Sequence, residues 1–137
     1  VPVAVDNDVN CAAIGEAHFG AAQGEKDFLC LTYGTGVGGA IFINGDVYRG
    51  SKFAGGEFGH MATHKDGRPC TCGRIGCYEA YAACRVFTTS VSERMGKPMN
   101  GREIFEPENL ANPIIKEEID KWEEKLKKKN LLVQNIL

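Results

Sequence analysis

From residue 60 to residue 77 the chain reads HMATHKDGRPCTCGRIGC, with three cysteines crowded into eight residues and two histidines just ahead of them. The wider stretch, residues 50–77, is rich in glycine and shows little hydrophobic periodicity, so an apolar core cannot order it. Something else has to. Three thiolates and one imidazole complete the closed tetrahedral set that structural zinc prefers, leaving no position open for water. Cys70, Cys72 and Cys77 are the candidate thiolate ligands, with His60 or His64 as the fourth donor. The glycine-flanked EFGH setting favours His60, but spacing alone does not separate the two histidines. Gly73 and Gly76 relieve the turn between the last two cysteines, where a β-carbon would crowd the ion. A closed donor set assigns such an ion a structural role, and the plain alternative is three cysteines beside an unrelated histidine.

Clustering also argues against a disulfide framework, because the opening VPVAVDND lacks the charged-then-apolar layout of a signal peptide. Cys11, Cys30 and Cys84 sit among alanines and apolar residues, which predicts buried, unreactive thiols. With 137 residues, 43% hydrophobic and 25% charged, the chain can bury the core of one globular domain. A net charge of -2 and a pI near 5.9 give no basic footprint for nucleic acid. No apolar run approaches the roughly 18 to 20 residues of a membrane span. A cytoplasmic protein without membrane partners is expected.

Local signals outline the elements. Residues 1–5 are a β-branched run that predicts a strand, and DNDVNCAAIGEAHFG predicts a helix opened by Asn7 or Asp8 and closed near Gly20. FLCLTY and AIFI read as strands joined by a GTGVGG glycine turn, and Asn44-Gly45-Asp46 as a tight turn into VYRG. Residues 77–94 have a helical pattern, broken over residues 96–101. Asn112-Pro113 opens a last helix with Ile115, Ile119, Trp122, Leu126 and Val133 on its apolar stripe. Glu117 and Glu118 near its start suit the helix dipole, and Lys127, Lys128 and Lys129 lie off the stripe, facing solvent.

Three groups of residues carry chemistry. In GTGVGG the amides of Gly34, Thr35, Gly36, Gly38 and Gly39 can point at a bound anion, although a flexible hairpin bend is the plain alternative. It is neither a P-loop nor a dinucleotide fingerprint, because a strand and not a helix follows. Asp6, Asn7 and Asp8, at a strand-to-helix junction, are candidates for proton abstraction, with helix capping as the alternative role. Glu57 and Glu79 flank the cysteine loop. Two carboxylates and an imidazole on a rigid loop suit a polyhydroxyl ligand.

In order along the chain, VDNDVNCAAIGEAHFG, YGTGVGGAIFINGDVYRG, AGGEFGHM and CTCGRIGCYEAY resemble the ROK family of bacterial sugar kinases, glucokinases among them, and related sugar-responsive repressors. The likeness runs from Val1 to about Ala83 and continues more faintly through GREIFEPE and the last helix. It implies an α/β, actin-like ATPase (ribonuclease H-like) fold, here partial, with a zinc-stabilised loop. The implied reaction moves the γ-phosphoryl group of ATP, bound with Mg, to the hydroxyl of a hexose or N-acetylhexosamine. By the same resemblance Asp8 falls on the catalytic base, Asn7, Glu57, His60 and Glu79 on sugar-binding residues, and GTGVGG on the second phosphate loop. His60 with Cys70, Cys72 and Cys77 falls on the zinc ligands, which selects His60 over His64.

Family kinases begin with an aspartate- and glycine-rich first phosphate loop, and none precedes Val1; the adenosine-binding segment is also missing. The expectation is the central part of a longer, homodimeric kinase, inactive alone. Within it, residues 1–20 carry the catalytic aspartate, 28–50 the phosphate hairpin, 51–84 the sugar and zinc loop, and 85–137 a helical segment. A repressor would instead carry a DNA-binding helix-turn-helix upstream, and a zinc-dependent binding module is the third reading.

Overall fold

The computed structural model describes residues 1–134, with side chains described through residue 127. Helix α1 (Asp8–Phe19) begins where the Asn7 side-chain oxygen accepts the N–H groups of Val9 and Asn10, two donors that the first helical turn leaves unpaired. Strands β1 (Phe28–Tyr33), β2 (Val37–Ile43) and β3 (Asp46–Val47) follow as an antiparallel sheet in the order β1-β2-β3. Between β2 and β3, Asn44 (φ 53°) and Gly45 (φ 81°) take the left-handed conformations of a two-residue hairpin turn. Helix α1 lies on this sheet, and Val9, Ala13, Ala40, Phe42 and Val47 form the first core cluster.

The second half is helical: α2 (Glu79–Ala82), α3 (Cys84–Met95), α4 (Gly101–Ile104), α5 (Pro107–Leu110) and α6 (Pro113–Gln134). Gly96 closes α3 at φ 66°, and Asn112 caps α6 by accepting the Ile114 N–H. Phe87, Val91, Met99, Ile104 and Ile115 make a second cluster, against which Ile119 and Trp122 pack. A smaller cluster of Val37, Tyr78, Ala82 and Ala83 joins the halves. Here the Trp122 indole N–H donates to the Ala82 carbonyl at 2.8 Å.

Several expectations need correction. Residues 1–5 form no strand, because none of the three strands pairs with them, and Val1, Val3 and Val5 are exposed. The glycine turn is shorter than GTGVGG: Gly38 and Gly39 lie inside β2, opposite Thr32 and Leu31. The helical pattern over residues 77–94 is interrupted at Ala83, whose ψ of 143° separates α2 from α3. Cys11 is exposed, because α1 turns its Val9, Asn10 and Ala13 face to the sheet. Val133, Lys128 and Lys129 lie outside the residues whose side chains are described.

Glu118 does more than suit the helix dipole. It is buried between α3 and α6, where it accepts hydrogen bonds from Ser90, Arg94 and Lys121. Burial alone raises its carboxyl, but those hydrogen bonds outweigh it and hold the group down at about 2 against an ordinary 4.5. A depressed folded pKa contributes stability above the unfolded value and loses it as the pH falls from 4.5 towards about 2. Glu118→Gln should therefore cost on the order of 2 to 3 kcal/mol at pH 7. Urea denaturation should show that difference shrinking steadily below pH 4.5.

Candidate functional site

The loop after β3 is tied by short-range pairing before any ion is considered. Isolated bridges join Ala62 to Cys77 and Pro69 to Ile75, and the Cys70 N–H donates to the Arg74 carbonyl at 2.8 Å. Gly76 (φ 74°) passes so close to the His64 carbonyl that a β-carbon would overlap it. These contacts bring His60, Cys70, Cys72 and Cys77 together with their donor atoms within 4.8 Å of one another. Cys72 Sγ and Cys77 Sγ are 3.7 Å apart, and Cys70 Sγ is 3.6 Å from His60 Nδ1. A tetrahedral ion bonded at about 2.3 Å to sulfur and 2.0 Å to nitrogen needs edges of about 3.8 and 3.5 Å. The set fits such an ion and is far too open for a disulfide.

His64 is placed elsewhere. Its ring stacks on Tyr81 with centroids 3.9 Å apart, and its Nδ1 pairs with the Thr63 hydroxyl. The thiols differ in acidity. Hydrogen bonds from the Arg74 backbone and guanidinium bring Cys72 down to about 6, while burial pushes Cys77 up to about 11. Three thiolates this close repel one another, so full ionisation of the set requires a cation at its centre.

Glu79 is the best-anchored of the expected site residues. Its Oε2 accepts the Val37 N–H at 3.0 Å, and its Oε1 accepts from the Thr71 hydroxyl at 3.3 Å and the Arg85 guanidinium at 3.4 Å. The carboxylate is buried and thereby fastens the cysteine loop, the hairpin and α3 to one point. Glu57 is exposed at the head of a 3-10 turn (Phe58–His60), and its carboxylate lies 4.0 Å from His60 Nε2. Since Nδ1 faces Cys70, the imidazole addresses the cysteine cluster with one nitrogen and Glu57 with the other.

The glycines of β2 make this assembly possible. A β-carbon on Gly38 would strike the Val9 side chain, and one on Gly39 would strike the Gly56 carbonyl and Phe58. One on Gly36 would overlap the Glu79 carboxylate. Residues 36–39 thus receive α1, the Glu57 loop and Glu79 at van der Waals contact. The turn itself is held by the Cys84 N–H, which donates to the Gly34 carbonyl at 2.9 Å. Gly34 and Thr35 are exposed.

At the α1 junction the three polar residues divide their roles. Asp6 is tied to Arg49 at 2.8 Å and to the Asn10 amide at 2.9 Å, and the Asn10 bond leads the causes that lower its pKa. That makes Asp6 a structural anchor. Asn7 caps the helix. Asp8 is exposed, and its carboxylate accepts the Val9 N–H at 2.9 Å. Among the described residues no hydrogen bond or ion pair joins Asp8 to Glu57, His60 or Glu79. Sequence reasoning did not single out Thr71 and Arg85, which hold Glu79, because their partner is recognisable only in three dimensions.

Metal analysis of the purified protein should find one divalent ion per chain. Cys77→Ala and His60→Ala should lose it, while His64→Ala should retain it.

A family model described as "ROK family" matches residues 1–137. A glucokinase of Streptomyces coelicolor is 43% identical over 94 residues, which is 69% of this chain and 30% of that protein. A xylose repressor of Bacillus subtilis is 37% identical over 97 residues, 71% of this chain and 25% of its own length. Among solved structures, a ROK family glucokinase from Streptomyces griseus in complex with glucose and AMPPNP superposes with a TM-score of 0.81 at 34% identity. That match covers 89% of this chain and 45% of the other. The chain spans about a third of the length of the curated relatives it matches. It belongs to the ROK family and shares the fold of the family's sugar kinases, in keeping with the actin-like expectation.

Proposed function

We propose that the protein carrying this chain phosphorylates a hydroxyl of a hexose or N-acetylhexosamine at the expense of ATP. The supporting observation is the gathering of Glu57, His60 and Glu79 on the same short stretch of β2 against which the helix of Asn7 and Asp8 packs. Relatives that include glucokinases and a β-glucoside kinase support the reaction class.

Each residue has a role that its environment suits. A carboxylate offers about four acceptor positions, and three donors already hold Glu79, so one position remains for a sugar hydroxyl. His60 Nε2 and the Glu57 carboxylate form a donor and acceptor pair for adjacent hydroxyls. The Asn7 oxygen serves the helix cap, which leaves its amide nitrogen as the donor to the ligand. Asp8, exposed at the start of α1, orients the attacking hydroxyl and takes its proton late in a loose phosphoryl-transfer transition state. Bound ATP with magnesium supplies the phosphoryl group. Amides of Thr35 and Gly36 would serve its phosphates, because the Gly34 N–H is taken by the Gly36 carbonyl at 2.9 Å, while Gly38 and Gly39 provide clearance inside the sheet. His60, Cys70, Cys72 and Cys77 would hold zinc, whose preferred ligand types they are and whose edge lengths the Cys72–Cys77 and Cys70–His60 pairs approach.

A repressor that senses sugar with the same site is the second reading, favoured by the similarity to the xylose repressor. Asp8 tilts the balance to the kinase, because sensing requires no proton acceptor. Among the described residues no helix is long and apolar enough to cross a membrane. Asp8→Ala in the full-length protein should abolish turnover while leaving sugar affinity within about tenfold, since the base acts chiefly in the transition state. Coupled kinase assays and calorimetry check both halves. Retained turnover would remove Asp8 from the mechanism.

A further inference from the structure

A cleft of about 520 Å³ opens between the cysteine loop, α3 and α6, and it shares no lining residue with the sugar site or the glycine turn. Its size is that of a small-molecule pocket. Arg68, Arg85 and Lys125 line it from three separate elements, together with Glu93, Glu118 and Trp122. The charges do not cancel. Arg94 at 2.9 Å and Lys121 at 3.1 Å balance Glu118 together with Glu117, and Glu79 pairs with Arg85, which leaves Arg68 and Lys125 against Glu93. Among the described residues neither Arg68 nor Lys125 has an ion-pair partner, and Arg85 has a long one, Glu79 at 3.4 Å.

The Arg68 guanidinium is also preorganised. It lies 5.2 Å from the centroid of the Tyr81 ring, and its Nη1 donates to the Ala80 carbonyl at 3.5 Å. Held from behind, it keeps other N–H groups for a ligand. Two guanidinium groups and an ammonium on the walls of one cleft select a dianionic group with several acceptor oxygens.

We propose that this cleft binds a phosphomonoester carried on a body the size of a sugar ring. Occupancy would reach the sugar site through Arg85, the one cation shared by the cleft and Glu79. An anion in the cleft draws the guanidinium away from Glu79 and loosens a carboxylate that also holds Val37 and Thr71. This second step rests on the sugar-site reading above, whereas binding in the cleft does not.

Trp122 lines the cleft, and the part of the fluorescence signal that Trp122→Phe removes reports on it. Titrating the full-length protein with glucose 6-phosphate should give a saturable change in tryptophan fluorescence. Lys125→Glu, at an exposed helix position, should weaken it about tenfold or more, as should Arg68→Ala. Both variants should keep unligated stability and glucose affinity. No change up to about 10 mM ligand, or an unaltered titration in Lys125→Glu, overturns the proposal. So does inorganic phosphate binding as tightly as the ester, because the body would then contribute nothing. ATP saturating the same signal, with the same loss in Lys125→Glu, would also overturn it by making the cleft part of the nucleotide site. If the fluorescence change appears but glucose affinity does not fall on adding glucose 6-phosphate, the coupling through Arg85 is wrong and the cleft assignment stands.

Discussion

The carboxylate of Glu79 is the contact on which the arrangement of the site depends. It is buried, yet donors from three directions meet it: the Val37 amide from the hairpin, the Thr71 hydroxyl from the cysteine loop and the Arg85 guanidinium from α3. A buried carboxylate without such donors would be costly, and each donor is worth more for being out of water. The consequence is geometric. The loop that carries the cysteines cannot shift without breaking the Thr71 bond, and the glycine turn cannot shift without breaking the Val37 bond. Hairpin, loop and helix are therefore one unit around a single pair of oxygens.

The cysteine and histidine cluster performs the complementary task on the far side of the loop. His60 addresses Cys70 through Nδ1 and Glu57 through Nε2, so whatever fixes the first nitrogen also fixes the direction of the second. An ion bound there would be structural in its coordination and would still govern the site, because it sets which way the imidazole points. Small residues in β2 complete the design. Gly36, Gly38 and Gly39 allow Glu79, Val9 and the Glu57 loop to approach the strand to distances that a side chain forbids.

Much of this was legible in the sequence wherever the signal was local. The cap of α1 at Asn7 or Asp8, Asn44-Gly45 turning the hairpin and Asn112-Pro113 opening α6 each depend on a few adjacent residues, and the structure places each there, with Asn7 as the cap. The three cysteines of the cluster stood out because their spacing is itself a metal pattern, whereas spacing left the histidine open. What escaped depends on partners distant in the chain. Gly38 and Gly39 resemble a turn until Val9 and Phe58 are seen against them, and then their role is clearance in a strand. Glu118 resembles an ordinary carboxylate near a helix start until Ser90 and Arg94 close over it from α3. His64 competes with His60 on spacing, and the stacking of His64 on Tyr81 separates them. Cys11 turns outward although its neighbours are apolar, because helix phase and not composition decides which face is covered.

The central claim is that the cluster and the proposed sugar site form one mechanical unit. Its most direct test is sugar affinity measured by calorimetry on the full-length protein, with bound metal and after chelation, alongside nucleotide affinity under the same conditions. The account predicts that removing the metal weakens sugar binding at least as much as nucleotide binding, because His60 and Glu57 lose their fixed direction first. Sugar affinity unchanged in metal-free, folded protein would contradict it and leave the cluster as a staple of the loop with no part in recognition.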